Sequence, residues 1–138
     1  MGKEKNYLIV TKEKKEEAKK IMSSNQIELC NIAIHSASVS AASEAIIPNP
    51  VMKTMPITAT QISMVIELGK IFNEKITENE AKCLLEGSAS TAADKTIKKL
   101  ISVETQTISA AVAGGITEAL GWTIAVELAN KAKKDKEN

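Results

Sequence analysis

Apolar residues recur every three to four positions in five stretches of this chain, and no stretch shows the alternation typical of a half-buried strand. This pattern predicts an all-α fold, a compact bundle of about five helices with close packing between Ala- and Gly-rich surfaces. The first two predicted helices cover 11–23 and 26–47, the third begins at Thr58 and the fourth at Thr77. The last covers 94–133, and the alternative for this helix is a break near 102–105.

Three of these helices carry a recognisable start signal. Thr11 is the predicted N-cap of the first helix, because threonine oxygens accept hydrogen bonds from the free N–H groups of a first turn. Thr58 is followed three residues later by Gln61, and Thr77 by Glu80, which is the spacing of a capping box. The third and fourth helices are therefore predicted with defined N-termini.

The third helix is apolar around most of its circumference. Its polar positions form one narrow stripe, and the rest is Ile, Met, Val, Leu and Phe. A helix of this kind is predicted to be the central one of the bundle. The stripe consists of Ser63, Glu67, Lys70 and Glu74.

Small residues recur every four positions in two of the predicted helices. Ala33, Ala37, Ala41 and Ala45 form one stripe in the second helix, and Gly115 and Gly121 belong to similar stripes in the last helix. Small side chains allow two helix backbones to approach closely, in a soluble bundle or in a membrane. These positions are candidate packing or interaction residues.

Composition limits the chemistry available to this chain of 138 residues. Its hydrophobic fraction is 43% but its aromatic residues are one Tyr, one Phe and one Trp, so aliphatic side chains must build the core. All 18 basic residues are lysine, which excludes arginine-based recognition of phosphates or bases. The net charge of +1 provides no field that would attract nucleic acid, and no nucleic-acid partner is predicted.

The charges divide the chain into three segments. Residues 1–25 are Lys/Glu-rich and contain a charged helix, 26–130 form the helical domain, and 131–138 form a basic tail. Two cysteines do not make a disulfide framework, and the lysine-rich start does not resemble a signal peptide. A cytoplasmic location is the expectation.

The sequence carries no motif that predicts an enzyme or a cofactor site. Gly69-Lys70 lacks the following Ser or Thr of a phosphate-binding loop. His35, the only histidine, has no metal-ligand spacing to either cysteine, so we expect a hydrogen-bonded core or interface residue, with a metal ligand as the alternative. Neither a catalytic residue, a metal nor a cofactor is predicted.

Glu118 is the one charge in the apolar stretch 107–126. Such a group must find a partner, face water or become neutral. We expect a carboxylate at the edge of the bundle, paired with a lysine or a backbone group. Trp122 lies one helical turn later and is predicted to cover the stem of Glu118 as a core or interface anchor.

Three runs of residues resemble the YcjF-like bacterial domain of unknown function. They are CNIAIHSAS from Cys30 with the sequence up to Pro48, TQISMVIELGKIF over 60–72, and GITEALGW over 115–122, of which ITEALGW is the most specific. The resemblance covers about residues 28–130. Two departures are the proline-rich connector PNPVMKT, which lacks the family's Asp, and residues 101–107, which lack its Pro-Gly turn.

That family occurs alone or C-terminal to Era-like GTP-binding domains, and some members carry predicted membrane segments. The resemblance therefore implies a non-catalytic helical interaction module that works with a separately encoded GTP-binding protein. The alternative is a membrane-associated protein, either peripheral or a two-span hairpin of 29–47 and 107–126, which would place the chain at the inner membrane instead of in the cytoplasm.

Self-association is a further expectation from the sequence. The stretch 107–126 is apolar beyond one face, and a monomer would have difficulty covering it. This predicts a homodimer with the last helix near the interface and Trp122 partly buried there. The alternative is that the other helices of one chain wrap this segment.

Overall fold

The computed structural model describes residues 6–44, 59–86 and 110–137. These residues form five helices and contain no strand, so the predicted all-α bundle is confirmed. The helices are α1 (Asn6–Ile21), α2 (Ser24–Glu44), α3 (Ala59–Ile71), α4 (Glu78–Glu86) and α5 (Ala110–Glu137). Ala45, Thr58 and the predicted helical residues 94–109 lie outside the described residues.

The first helix begins earlier than the sequence predicts. Thr11 lies inside α1, and its hydroxyl donates a hydrogen bond to the carbonyl oxygen of Tyr7 (2.9 Å), so the prediction of Thr11 as an N-cap is wrong. Tyr7 and Val10 pack against the hydrophobic core. This burial extends the helix toward the N-terminus of the charged stretch.

Capping boxes start two of the described helices. At α4, the Glu80 amide donates to Thr77 Oγ1 (3.1 Å) and the Thr77 amide donates to Glu80 Oε1 (3.2 Å), as the sequence predicts. The same reciprocal pair joins Ser23 and Gln26 at the start of α2, with distances of 3.0 and 3.1 Å. This box connects the end of α1 to the start of α2, and it is not among the predicted helix starts.

The C-terminus of α3 is a Schellman motif. The Glu74 amide donates to the Gly69 carbonyl (2.7 Å) and the Asn73 amide donates to that of Lys70 (3.2 Å). Asn73 has a φ of 60°, the left-handed conformation that this motif needs. A Cβ atom at Gly69 would lie 2.8 Å from the Glu74 carbonyl oxygen, so glycine permits the chain to fold back here.

The central helix of the bundle is α5, which packs against α1, α2 and α3. From Ala113 to Ala129 most of its side chains are buried on every side of the helix. The prediction that the third helix is central is therefore wrong. Helix α3 buries Met64, Val65 and Leu68 on one face and exposes Glu67 and Lys70 on the other. Small residues give α5 the slim surface that lets three helices surround it.

An Ala41→Leu substitution should lower the free energy of unfolding by about 1–3 kcal/mol, because three added carbons would overpack the core. Ala41 is 4% exposed, on a helix that packs against α5. Urea denaturation measures the effect, and Ser40→Leu at the neighbouring exposed position is the control. Equal stability of Ala41→Leu and the wild type would contradict the close packing of α2.

Candidate functional site

The candidate residues of the small-residue stripes meet where α2 packs against α5. Ala37 and Ala41 are buried and Ala33 is half-buried. The hydroxyl of Ser38 donates a hydrogen bond to the Gly114 carbonyl oxygen (2.8 Å), which links the two helices near the start of α5. This side of α2 is therefore occupied within the chain.

The two candidate glycines of α5 lie beneath side chains from different helices. A Cβ atom at Gly121 would come within 2.7 Å of Ile34 Cγ1 and 3.0 Å of Met64 Sδ. A Cβ atom at Gly115 would overlap the ring of Tyr7. Glycine at these positions therefore lets α1, α2 and α3 pack onto one helix.

The run ITEALGW over 116–122 forms the middle of the core. Ile116, Thr117 and Ala119 are fully buried, and Leu120 and Trp122 are 1% and 2% exposed. The run carries the strongest part of the family resemblance, and its residues serve packing. Its one charged member, Glu118, lies at the edge.

A buried hydrogen bond between α3 and α5 was not predicted. Gln61 Nε2 donates to Thr117 Oγ1 (3.2 Å), and both side chains are at most 1% exposed. The sequence predicts Gln61 in a capping box with Thr58, and Thr58 lies outside the described residues. No local pattern in the sequence relates Thr117 to a glutamine 56 positions earlier.

Glu118, Lys15 and Trp122 form a cluster between α5 and α1. Lys15 Nζ lies 3.5 Å from Glu118 Oε1 and 5.6 Å from the centre of the Trp122 ring. The ammonium group thus makes an ion pair and a cation–π contact at once. The side chains of Lys15 and Glu118 are 40% and 29% exposed, so water screens the pair.

Neutralising this ion pair should have a small effect, because partly exposed pairs contribute less than about 1 kcal/mol. We expect Glu118→Gln and Lys15→Met each to lower the free energy of unfolding slightly. A double-mutant cycle measured by urea denaturation should give a coupling of about 0.5 kcal/mol that decreases in high salt. A coupling unchanged by salt would contradict the exposed position of the pair.

Trp122 is buried within one chain. It is 2% exposed, and its Nε1 atom has no hydrogen-bond acceptor among the described residues. The expected partial burial at a dimer interface rested on an exposed apolar strip in 107–126. The part of that strip from Ala113 onward is mostly covered by α1, α2 and α3. The homodimer stays a prediction, but Trp122 is not its anchor.

The remaining polar candidates do not come together. His35 is exposed on α2, so it is not a core residue, and its expected place at an interface stays a prediction. Cys30 is fully buried and Cys83 is exposed on α4. Burial raises the pKa of the Cys30 thiol to about 12, so it stays protonated at neutral pH. The described residues contain no group of three or more His, Cys, Asp or Glu side chains that could hold a metal ion.

One described helix, Ala111–Lys136, is long and apolar enough to cross a membrane by length and composition alone. An 18-residue window of this helix has a mean hydropathy of 1.2, and 72% of that window is buried inside the bundle. A core helix of a soluble protein has the same properties. The described part of 29–47, in α2, is not apolar enough to be a candidate membrane span.

Comparison with known proteins identifies no relative of this chain. No family model, curated protein or solved structure matches the chain. The resemblance to the YcjF-like domain therefore rests on the three runs of residues alone. The structure itself establishes an all-α bundle built around α5.

Proposed function

We propose that this chain is a non-catalytic helical interaction module that associates with a separately encoded GTP-binding protein. The observation that supports the proposal is the place of the run 116–122. Apart from Glu118, its residues form the core on which α1, α2 and α3 pack. Two proteins that share a scaffold but differ in their surfaces would resemble each other in their core residues. The run 116–122 resembles the YcjF-like domain in this way.

Retention of a GTP-binding protein tests this proposal. The purified, tagged chain is immobilised and incubated with extract of its source cells, and bound proteins are photo-labelled with a radioactive azido-GTP. Beads that carry a helical protein of equal size and charge are the control. We expect a labelled protein on the chain alone, and excess unlabelled GTP should abolish the label. Equal labelling on both kinds of bead would contradict the proposal.

A second candidate function is association with a membrane surface, and the start of α1 favours it. Leu8 and Ile9 are each 53% exposed on a helix that also carries five lysines. Exposed apolar side chains beside lysines are typical of helices that bind anionic lipid surfaces. The three glutamates of α1 oppose this binding.

Sedimentation with vesicles distinguishes the forms of this second candidate. Vesicles that contain phosphatidylglycerol are mixed with the chain, pelleted, and extracted first with salt and then with detergent. Salt extraction indicates a peripheral protein, and extraction by detergent alone indicates the two-span hairpin. A chain that stays in the supernatant excludes both, and a Leu8→Ser/Ile9→Ser variant shows whether α1 makes the contact.

A further inference from the structure

The outward side of α2 carries an exposed row of apolar and small residues. Leu29, Ile32 and Val39 are 42%, 57% and 55% exposed, and Ser36 and Ser43 lie between and after them on the same side. The positions follow the 3-4-3-4 spacing of a coiled-coil seam. We call these five residues the α2 seam.

The surface around the seam is depleted of charge. Of the eleven exposed side chains that the structure describes in α2, Glu28 alone is charged, and the helix contains no lysine. On α1, six of the eight exposed side chains described are lysine or glutamate. Loss of charge together with exposed aliphatic side chains distinguishes the centre of a protein interface from ordinary surface.

The serines of the seam are suited to a helix–helix contact. Ser43 already donates its hydroxyl to the Val39 carbonyl oxygen (3.2 Å), so covering it would leave no donor unpaired. Ser36, between Ile32 and Val39, leaves a gap into which a large side chain can fit. Small residues of this kind bring two helix axes close together.

We propose that a second copy of this chain docks on the α2 seam, with the two α2 helices antiparallel about a two-fold axis. The seam is complementary to itself, because Leu29 would face the partner's Val39 and Ile32 would face the partner's Ser36. A parallel pair would place the two Glu28 carboxylates side by side and align the helix dipoles. The antiparallel pair avoids both repulsions.

The length of the seam sets the expected strength of this dimer. In the antiparallel pair Ser43 would face the partner's Asn25, and the nineteen residues from Asn25 to Ser43 span about 27 Å of helix. A contact between two helices of this length is at the low end of specific interfaces. We therefore expect a dissociation constant in the micromolar range. Dimer formation through the α2 seam does not depend on the proposed association with a GTP-binding protein. The two proposals are tested by different assays.

Sedimentation equilibrium from about 1 to 200 µM tests the proposal over the range expected for a small interface. We expect the wild type to pass from monomer to dimer. Ile32→Glu should raise the dissociation constant at least about a hundredfold, since it would bury an unpaired carboxylate. Ile9→Glu is the matched control, because Ile9 is 53% exposed on α1 and lies outside the seam. It should dimerise like the wild type.

A wild type that stays monomeric at the highest concentration overturns the proposal. So does an Ile32→Glu variant that keeps the wild-type dissociation constant, or an Ile9→Glu variant that loses the dimer equally. Circular dichroism and thermal melting establish that each variant is folded. Val39→Glu is the second seam variant if Ile32→Glu does not fold.

Cysteine cross-linking tests the orientation, with the exposed Cys83 replaced by serine. In the antiparallel dimer, chains with Leu29→Cys should form disulfides with chains carrying Val39→Cys. Two Leu29→Cys chains should not link, because the cysteines would be about 15 Å apart along the helix, beyond disulfide reach. Efficient linking of Leu29→Cys chains to each other would overturn the antiparallel arrangement.

Discussion

A Trp122→Ala variant is expected to lose about 3–5 kcal/mol of unfolding free energy, the cost of deleting a large buried aromatic side chain. Trp122 is 2% exposed in the middle of α5 and belongs to the hydrophobic core cluster. Its removal would leave a cavity among the helices that surround α5. Urea denaturation followed by circular dichroism measures the loss. A loss below 1 kcal/mol would mean that Trp122 is not in this core.

Trp122→Phe is the matched variant for this experiment, and its loss should be below about 2 kcal/mol. The smaller ring leaves a smaller cavity, and it also removes an indole N–H that has no acceptor among the described residues. An aromatic ring remains beneath Lys15. Equal losses for alanine and phenylalanine would show that the indole N–H is essential and therefore has a hydrogen-bond partner.

Local sequence signals were sufficient to predict the kind of fold and the start of α4. The Thr77–Glu80 capping box depends only on neighbouring residues, and it was predicted. Thr11 shows the limit of such signals. A threonine can cap a helix or donate to the carbonyl four residues earlier, and burial of Tyr7 decided between the two.

The arrangement of the helices could not be predicted in the same way. Helix α3 has the larger aliphatic side chains, which favoured it as the central helix, whereas α5 is central because its alanines and glycines accept neighbours on all sides. The sequence pattern measures hydrophobicity along one helix. It does not show how many neighbours that helix has.

For the candidate site too, the sequence predicts what depends on neighbouring residues but not what depends on the arrangement of the helices. That Glu118 needs a partner follows from its apolar surroundings, but its pairing with Lys15 depends on how α1 crosses α5. Likewise, the sequence predicts the stripe with Ala37 and Ala41 as a contact surface, and both residues are buried within the chain. The apolar residues that stay exposed on α2 are Leu29, Ile32 and Val39, which the small-residue pattern did not indicate.

A Gly121→Val substitution should destabilise the bundle by about 3 kcal/mol, the upper part of the range for overpacking a core. Valine forms helices slightly better than glycine, so helix propensity alone would predict a gain. The opposite sign is expected because even a Cβ atom at Gly121 would lie 2.7 Å from Ile34 and 3.0 Å from Met64. Both neighbours are buried and have little space to move away.

The control for Gly121→Val is Ala111→Val, at an exposed position near the start of the same helix. There the valine meets solvent, and only the lower helix propensity of valine should act, at about 0.5 kcal/mol. Urea denaturation of both variants separates the two effects. A Gly121→Val variant as stable as Ala111→Val would show that α2 and α3 do not meet over Gly121. A loss of unfolding free energy several times that of Ala111→Val would place the closest approach of α2, α3 and α5 at Gly121. This glycine belongs to the run 116–122, the most specific part of the family resemblance.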